Sequence, residues 1–208
     1  MFFLLIWGFK TRYKIVSTGV FFCPQCGGDR EYVHKVGRRW FRLYYIPLFP
    51  VGSTRNEVVQ CNTCTNYFTM AALQRPTSAQ LSAQLLDAMR GAAVHVLRTG
   101  SMNDPIVRAT AVTEVRLAGL AGYDDAALSA DLDVIPGDLT DLLAELGRRL
   151  AAIGKEKLVQ SAVRVAVADG PATDMEMTVI NHLGACLGLT AMHVEGICAR
   201  AAQPAAGN

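Results

Sequence analysis

Cys23-Pro-Gln-Cys26 and Cys61-Asn-Thr-Cys64 constrain this chain more than any other feature. Two residues between the cysteines let both sulfurs of a pair turn toward one ion. Two such pairs supply the four ligands of a tetrahedral zinc site, with Zn–S near ~2.3 Å. Gly27 and Gly28 follow the first pair, where the chain must curl so that amides can approach the sulfurs. The 34 residues between the pairs exceed the common ribbon spacing but leave room for a hairpin. Two disulfides, free thiols, or iron on the same four thiolates are the alternatives. With Cys23, Cys26, Cys61 and Cys64 all engaged, the site is closed: it stabilises a fold and leaves no open position for catalysis.

The residues around the pairs favour strands. Phe2–Phe9 reads as one strand and Lys14–Phe22 as a second, entering the first pair. Glu31–Val36 and Arg39–Ile46 are rich in β-branched and aromatic residues, with Gly37 expected as the hairpin turn between them. Pro47 and Pro50 argue for an edge strand or a loop. Val51–Arg55 reads as a turn and Asn56–Gln60 as a short strand leading into the second pair.

Composition then changes. Fifteen of the sixteen aromatic residues lie in residues 1–75, whereas alanine is almost confined to the rest. Aromatic residues favour strands and alanine favours helices. Charge divides the same way. Residues 1–75 carry ten Lys/Arg against three Asp/Glu, and residues 76–208 carry ten against fifteen. These shifts predict an α+β chain of two domains: a β zinc ribbon over 1–75 and an all-helical bundle over 76–202, with a tail over 203–208.

Helical periodicity supports the second domain. Leu81, Leu85, Leu86, Met89, Ala93, Val96 and Leu97 share a face, and Gly100 ends that helix. Further helices are expected over Asp104–Ala121, from Asp124, over Pro136–Ala152 and over Lys155–Ala168. Thr173 and Glu176 form a capping box for the next, Gly188 closes it, and Thr190 caps the last. A weak repeat relates His95–Gly100 and Asp104 to Val165–Gly170 and Asp174 at an offset of 70; the earlier copy has Thr99 and Ile106 where the later has Asp169 and Glu176.

Two resemblances extend this reading. Ile6-Trp7-Gly8-Phe9, the first cysteine pair, Tyr45-Ile46-Pro47-Leu48-Phe49-Pro50 and the second pair resemble a bacterial zinc-ribbon family common in actinobacteria. That resemblance implies a fold and no established activity. Val167–Glu176, with Leu187-Gly188-Leu189 after it, resembles the signature turn of the tellurite-resistance TerB-like domain. It is strongest over 160–200. It implies an all-helical bundle in which acidic residues of both halves surround a metal ion, a pattern from which the first half departs. Asp169, Asp174 and Glu176 are therefore a candidate second site, for a hard cation such as Ca²⁺. Turn formation and helix capping account for the same residues without a metal.

Among the remaining residues, His182 and Cys186 share a helix face, whereas His193 and Cys198 do not; buried core thiols are the expectation for both cysteines. No nucleophile motif or phosphate-binding loop is present, so the protein is expected not to be an enzyme. Arg38, Arg39 and Arg42 with Trp40, Phe41, Tyr44 and Tyr45 make a basic aromatic segment. It could meet nucleic acid, a protein or an anionic membrane surface, or simply form the ribbon's own core and solvated face. Phe2–Trp7 is apolar but too short to span a bilayer and lacks the flanks of a signal peptide. The chain reads as a cytoplasmic, non-enzymatic zinc-binding adaptor with a protein partner and no transmembrane segment; a nucleic-acid-binding ribbon is the alternative.

Overall fold

The computed structural model describes residues 7–43, 46–51 and 56–201. The opening strand residues 2–6, Tyr44, Tyr45, most of the turn expected over Val51–Arg55 and the tail over 203–208 lie outside them. The chain divides into two compact units, Met1–Leu81 and Ser82–Asn208. It is α+β: five antiparallel strands followed by seven α-helices among the described residues.

In the first unit β1 (Trp7–Cys23) and β2 (Gly28–Leu43) form one long antiparallel ribbon, roughly 50 Å from end to end at ~3.3 Å per residue. The other edge of β2 carries β4 (Asn56–Cys61) near the cysteines and β3 (Ile46–Pro50) at the far end; β5 (Tyr67–Phe68) pairs with β4. This corrects two expectations. Phe2–Phe9 and Lys14–Phe22 are not separate strands, because β1 runs without a break from Trp7 to Cys23. Nor is Gly37 a turn: it lies within β2, opposite Tyr13. A Cβ there would sit 2.8 Å from both Thr11 Cγ2 and Tyr13 Cε1, so glycine serves close approach of a neighbouring side chain. The hairpin turn is the first cysteine pair itself. Pro47 and Pro50 do fall on an edge strand.

The ladder has one irregularity. Ser17 pairs with His34 and Ile15 with Lys35, which leaves Val16 as an extra residue on β1. The core is small. Phe21, Cys23, Val59 and Cys61 are buried, with Tyr32, Phe68, Met70 and Leu73 packed against them. Phe21 meets Tyr32 and Phe68 edge-on at 5.5 and 5.7 Å between ring centres.

The second unit holds most of α1 (Ser78–Thr99) and then α2 (Pro105–Leu117), α3 (Asp125–Val134), α4 (Thr140–Gly147), α5 (Ala152–Ala166), α6 (Asp174–Cys186) and α7 (Ala191–Ala201). Leu97, Leu128, Leu143, Leu146, Leu158, Ile180, Leu183 and Ile197 fill its core. The helix expected over Pro136–Ala152 is shorter. Pro136 and Gly137 stay outside it, and the Asp138 side chain accepts from Thr140 N at 2.8 Å to start α4 two residues later. Gly147 lets α4 approach the end of α6 closely. A Cβ on Gly147 would lie 2.9 Å from Leu187 Cα and O, and backbone cannot swing aside as a side chain can. Gly147→Ala is therefore expected to destabilise the helical unit by about 2 kcal/mol, read as a fall in its melting temperature. An unchanged melting temperature would show that the two helices can separate freely.

Two ion pairs are drawn into this unit. Arg90 donates to Asp131 through Nε (2.7 Å) and Nη2, and the Tyr123 hydroxyl donates to the same carboxylate at 2.6 Å. Arg164 clasps Glu114 through Nε and Nη2 at 2.7 and 2.8 Å. No helix among the described residues is long and apolar enough to cross a membrane.

Candidate metal centre

Each cysteine pair closes a tight turn at the end of a strand. β1 ends at Cys23, and Gly27 N donates back to Cys23 O at 3.0 Å with Gly27 at φ +68°. β4 ends at Cys61, and Thr65 N donates to Cys61 O at 3.0 Å with Thr65 at φ +59°. The two knuckles thus repeat one geometry, each with a left-handed residue four positions after its first cysteine. The second places a β-branched threonine there, a conformation that glycine adopts far more readily. Thr65→Gly should stabilise the first unit by about 1 kcal/mol, seen as a higher denaturant midpoint; a lower midpoint would mean that the threonine side chain contributes more than its backbone strain removes.

The strand pairing Tyr32 to Cys61 and Cys23 to Gly28 brings the knuckles together at one end of the sheet. The four Sγ atoms of Cys23, Cys26, Cys61 and Cys64 lie within 4.8 Å of one another, and Cys23 and Cys64 are 3.8 Å apart. A tetrahedron with Zn–S of ~2.3 Å has edges of about 3.8 Å. A disulfide needs ~2.05 Å, and all four cysteines are free thiols here. Cys23 and Cys61 are buried, Cys26 and Cys64 half-buried.

Cys26, Cys61 and Cys64 do not ionise alike without a cation. Burial pushes the Cys26 thiol up, and the neighbouring thiols of Cys23, Cys64 and Cys61 add to this, raising it to about 12. Burial also pushes Cys61 up, but the backbone amides of Cys64 and Thr63 and the thiols of Cys64 and Cys23 outweigh it and bring Cys61 to about 7. Cys61 is favoured as a thiolate over Cys26 and Cys64, and a divalent cation would favour the thiolate form of whichever sulfurs it binds. The donor set suits a soft or borderline metal such as zinc.

The acidic turn is built differently. Glu176 is buried, and its carboxylate accepts from Thr173 N and Thr173 Oγ1, both at 2.8 Å, while Thr173 Oγ1 accepts from Glu176 N. The capping box is complete. Asp174 is an exposed first helical residue, and Asp169 is exposed in the preceding turn. The three carboxylates do not gather into a group comparable to the cysteines among the described residues. The repeat does not carry roles across at an offset of 70. Asp104 is the N-cap of α2, accepting from Ile106 N and Val107 N at 2.7 and 3.1 Å, whereas the cap of α6 is Thr173. Glu176 instead packs against Gly100, where any Cβ would collide with its Oε1.

Cys186 and Cys198 are half-buried and not fully buried core thiols as expected, because each lies at the rim of its helix's apolar face. Cys186 Sγ lies 3.6 Å from His182 Nε2, which also contacts Thr140 Oγ1, and no third ligand joins them among the described residues. The basic aromatic segment is divided by the strand alternation. Arg38, Trp40 and Arg42 share one face of β2, and Arg39 and Phe41 the other. Reading β2 alone missed that Lys10, Arg12 and Lys14 of β1 join the first of these faces.

A scan against protein-family models, a search of curated proteins and a search of solved structures each returned no match to this chain.

Proposed function

We propose that this chain is a non-enzymatic, zinc-binding adaptor: a zinc ribbon joined to a helical docking domain of the TerB-like kind. The observation that carries the reading is the closed group of four sulfurs within 4.8 Å, held by two turns of matching geometry. Such a site spends its metal on folding and offers no open coordination position. The resemblance over 160–200 extends the reading to metal or tellurite stress, and the acidic turn serves there as a helix start.

Native mass spectrometry with elemental analysis, before and after Ca²⁺ addition, tests this. One zinc per chain and no added Ca²⁺ is the expected result. Iron in place of zinc would make the centre a rubredoxin-like one. A bound Ca²⁺ lost in an Asp169→Asn/Asp174→Asn variant would replace the capping role with a metal site.

A further inference from the structure

The ribbon's end farthest from the cysteines exposes apolar side chains that an isolated soluble sheet would bury. Trp7 is 62% exposed, Ile46 62%, Phe49 53%, Leu48 50% and Phe9 43%. They come from β1 and β3, on either side of the last residues of β2. The sequence preceding Trp7, Met-Phe-Phe-Leu-Leu-Ile, is apolar throughout.

Behind this tip lies a band of cations. Arg12 sits directly opposite Arg38, with Lys10 and Lys14 two residues to either side of Arg12 on the same face. Like charges directly across a ladder oppose strand pairing. Among the described residues Lys10, Arg12, Lys14 and Arg38 make no ion pair. Arg12, Lys14 and Arg38 line a cavity of about 650 Å³ with Trp40, in which Glu57 is the single carboxylate. On the opposite face Arg39 adds a further cation, its guanidinium 4.0 Å from the centre of the Phe9 ring.

We propose that this end of the ribbon docks on an anionic lipid bilayer. Trp7, Phe9, Ile46, Leu48 and Phe49 enter the boundary between headgroups and acyl chains, Lys10 and Arg39 next to them meet the lipid phosphates, and Arg12, Arg38 and Lys14 further back are drawn by the negative surface potential of the leaflet. Apolar and aromatic residues at the tip with lysine and arginine behind them match the polarity gradient of a bilayer interface. Three alternatives fit less well. Single-stranded nucleic acid would need several free ring faces, but Phe41 stacks on Phe49 at 5.3 Å, Arg39 covers Phe9, and Ile46 and Leu48 have no ring to offer, which leaves Trp7 as the open ring of the tip among the described residues. A second copy paired along the open edge of β1 is opposed by Lys10, Arg12 and Lys14, charges that guard an edge strand. A protein groove would have no need of so many cations beside it. Under the adaptor reading this names the ribbon's partner, and it holds for whichever metal fills the cysteine site.

The test uses the full chain and vesicles of phosphatidylcholine, alone or with 30% phosphatidylserine (about a third, typical of an anionic leaflet). Metal content is measured for every variant, so that loss of the fold is distinguished from loss of the lipid contact. Flotation with the anionic vesicles only, and a blue shift of Trp7 emission in a Trp40→Phe variant, is the expected result. Ile46→Ser/Leu48→Ser should keep its metal and abolish the blue shift. Arg12→Glu/Arg38→Glu should weaken partitioning by about fivefold or more per cation. No flotation of metal-loaded protein overturns the inference. So does flotation without a Trp7 shift that salt abolishes, which would be surface charge alone. Binding of oligonucleotides, or dimerisation, without vesicle binding overturns it as well.

Discussion

Cys61→Ser is expected to unfold the sheet of the first unit and leave the seven helices standing. Cys61 is fully buried and belongs to a core cluster of four buried residues among those described, two of them cysteines. A core of that size cannot hold an extended ribbon against chain entropy, and below about 70–80 residues such domains rely on a metal or disulfides. The ligand bonds of a structural zinc supply on the order of 10 kcal/mol, and folding is coupled to them. Both tryptophans, Trp7 and Trp40, lie in the first unit, so their emission reports on the ribbon alone. In the variant, or after metal removal with a strong chelator, the emission of half-buried Trp40, read in a Trp7→Phe background because Trp7 is exposed already, should shift to the solvent-exposed value while helical circular dichroism persists. Unchanged tryptophan emission after complete metal removal would show that the ribbon folds without its metal.

The second large effect belongs to the helical unit. Asp131→Ala is expected to destabilise it by about 3 kcal/mol, lowering its melting temperature by about 10 °C. Asp131 is buried at 5% exposure and receives both Arg90 and the hydroxyl of Tyr123, itself 2% exposed. Removing the carboxylate leaves the Tyr123 phenol without its acceptor and the Arg90 guanidinium with Asp87 alone, 3.2 Å from Nη1. Tyr123→Phe, which removes one hydrogen bond and leaves the ion pair, should cost only about 1 kcal/mol. The pH dependence has a definite sign. Burial pushes the Asp131 carboxyl up, but hydrogen bonds from Arg90 and Tyr123 and the charge of Arg90 prevail and hold it below the usual range. A folded-state value below the unfolded one contributes stability above about pH 4, lost as pH falls toward the folded value. The gap between wild type and Asp131→Ala should therefore be full at neutral pH and narrow below about pH 4. Equal melting temperatures at pH 7 would mean that the ion pair's desolvation cancels its attraction.

What the sequence revealed and concealed follows from the range of the interactions involved. The knuckles, the Thr173–Glu176 box and the helix stop at Gly188 rest on neighbours within a few residues, so they were legible. The strand breaks were not. Gly37 has the composition of a turn, and only the cross-strand side chains of Thr11 and Tyr13 explain a glycine inside a strand. The Pro136–Ala152 helix was overextended because the apolar period continues past both ends, while Asp138 starts the helix by a local hydrogen bond. Of the candidate sites, the four cysteines needed only their spacing. The division of labour among Asp169, Asp174 and Glu176 depends on where α1 ends relative to α6, which no local pattern encodes.

The single extra residue in β1 has a consequence for the chemistry of the whole ribbon. Between the cysteines and Val16, odd-numbered residues of β1 share a face with even-numbered residues of β2; beyond it, even meets even. That change of parity is what gathers Lys10, Arg12 and Lys14 with Arg38 on one side and Trp7, Phe9 and Tyr13 with Phe41 on the other. A chain lacking Val16 would keep every one of these side chains and still interleave rings with charges on both sides. The ribbon's polarity is thus written as a count: one inserted position decides which side chains of the two long strands meet along half its length, with Trp40 left among the cations and Arg39 among the rings.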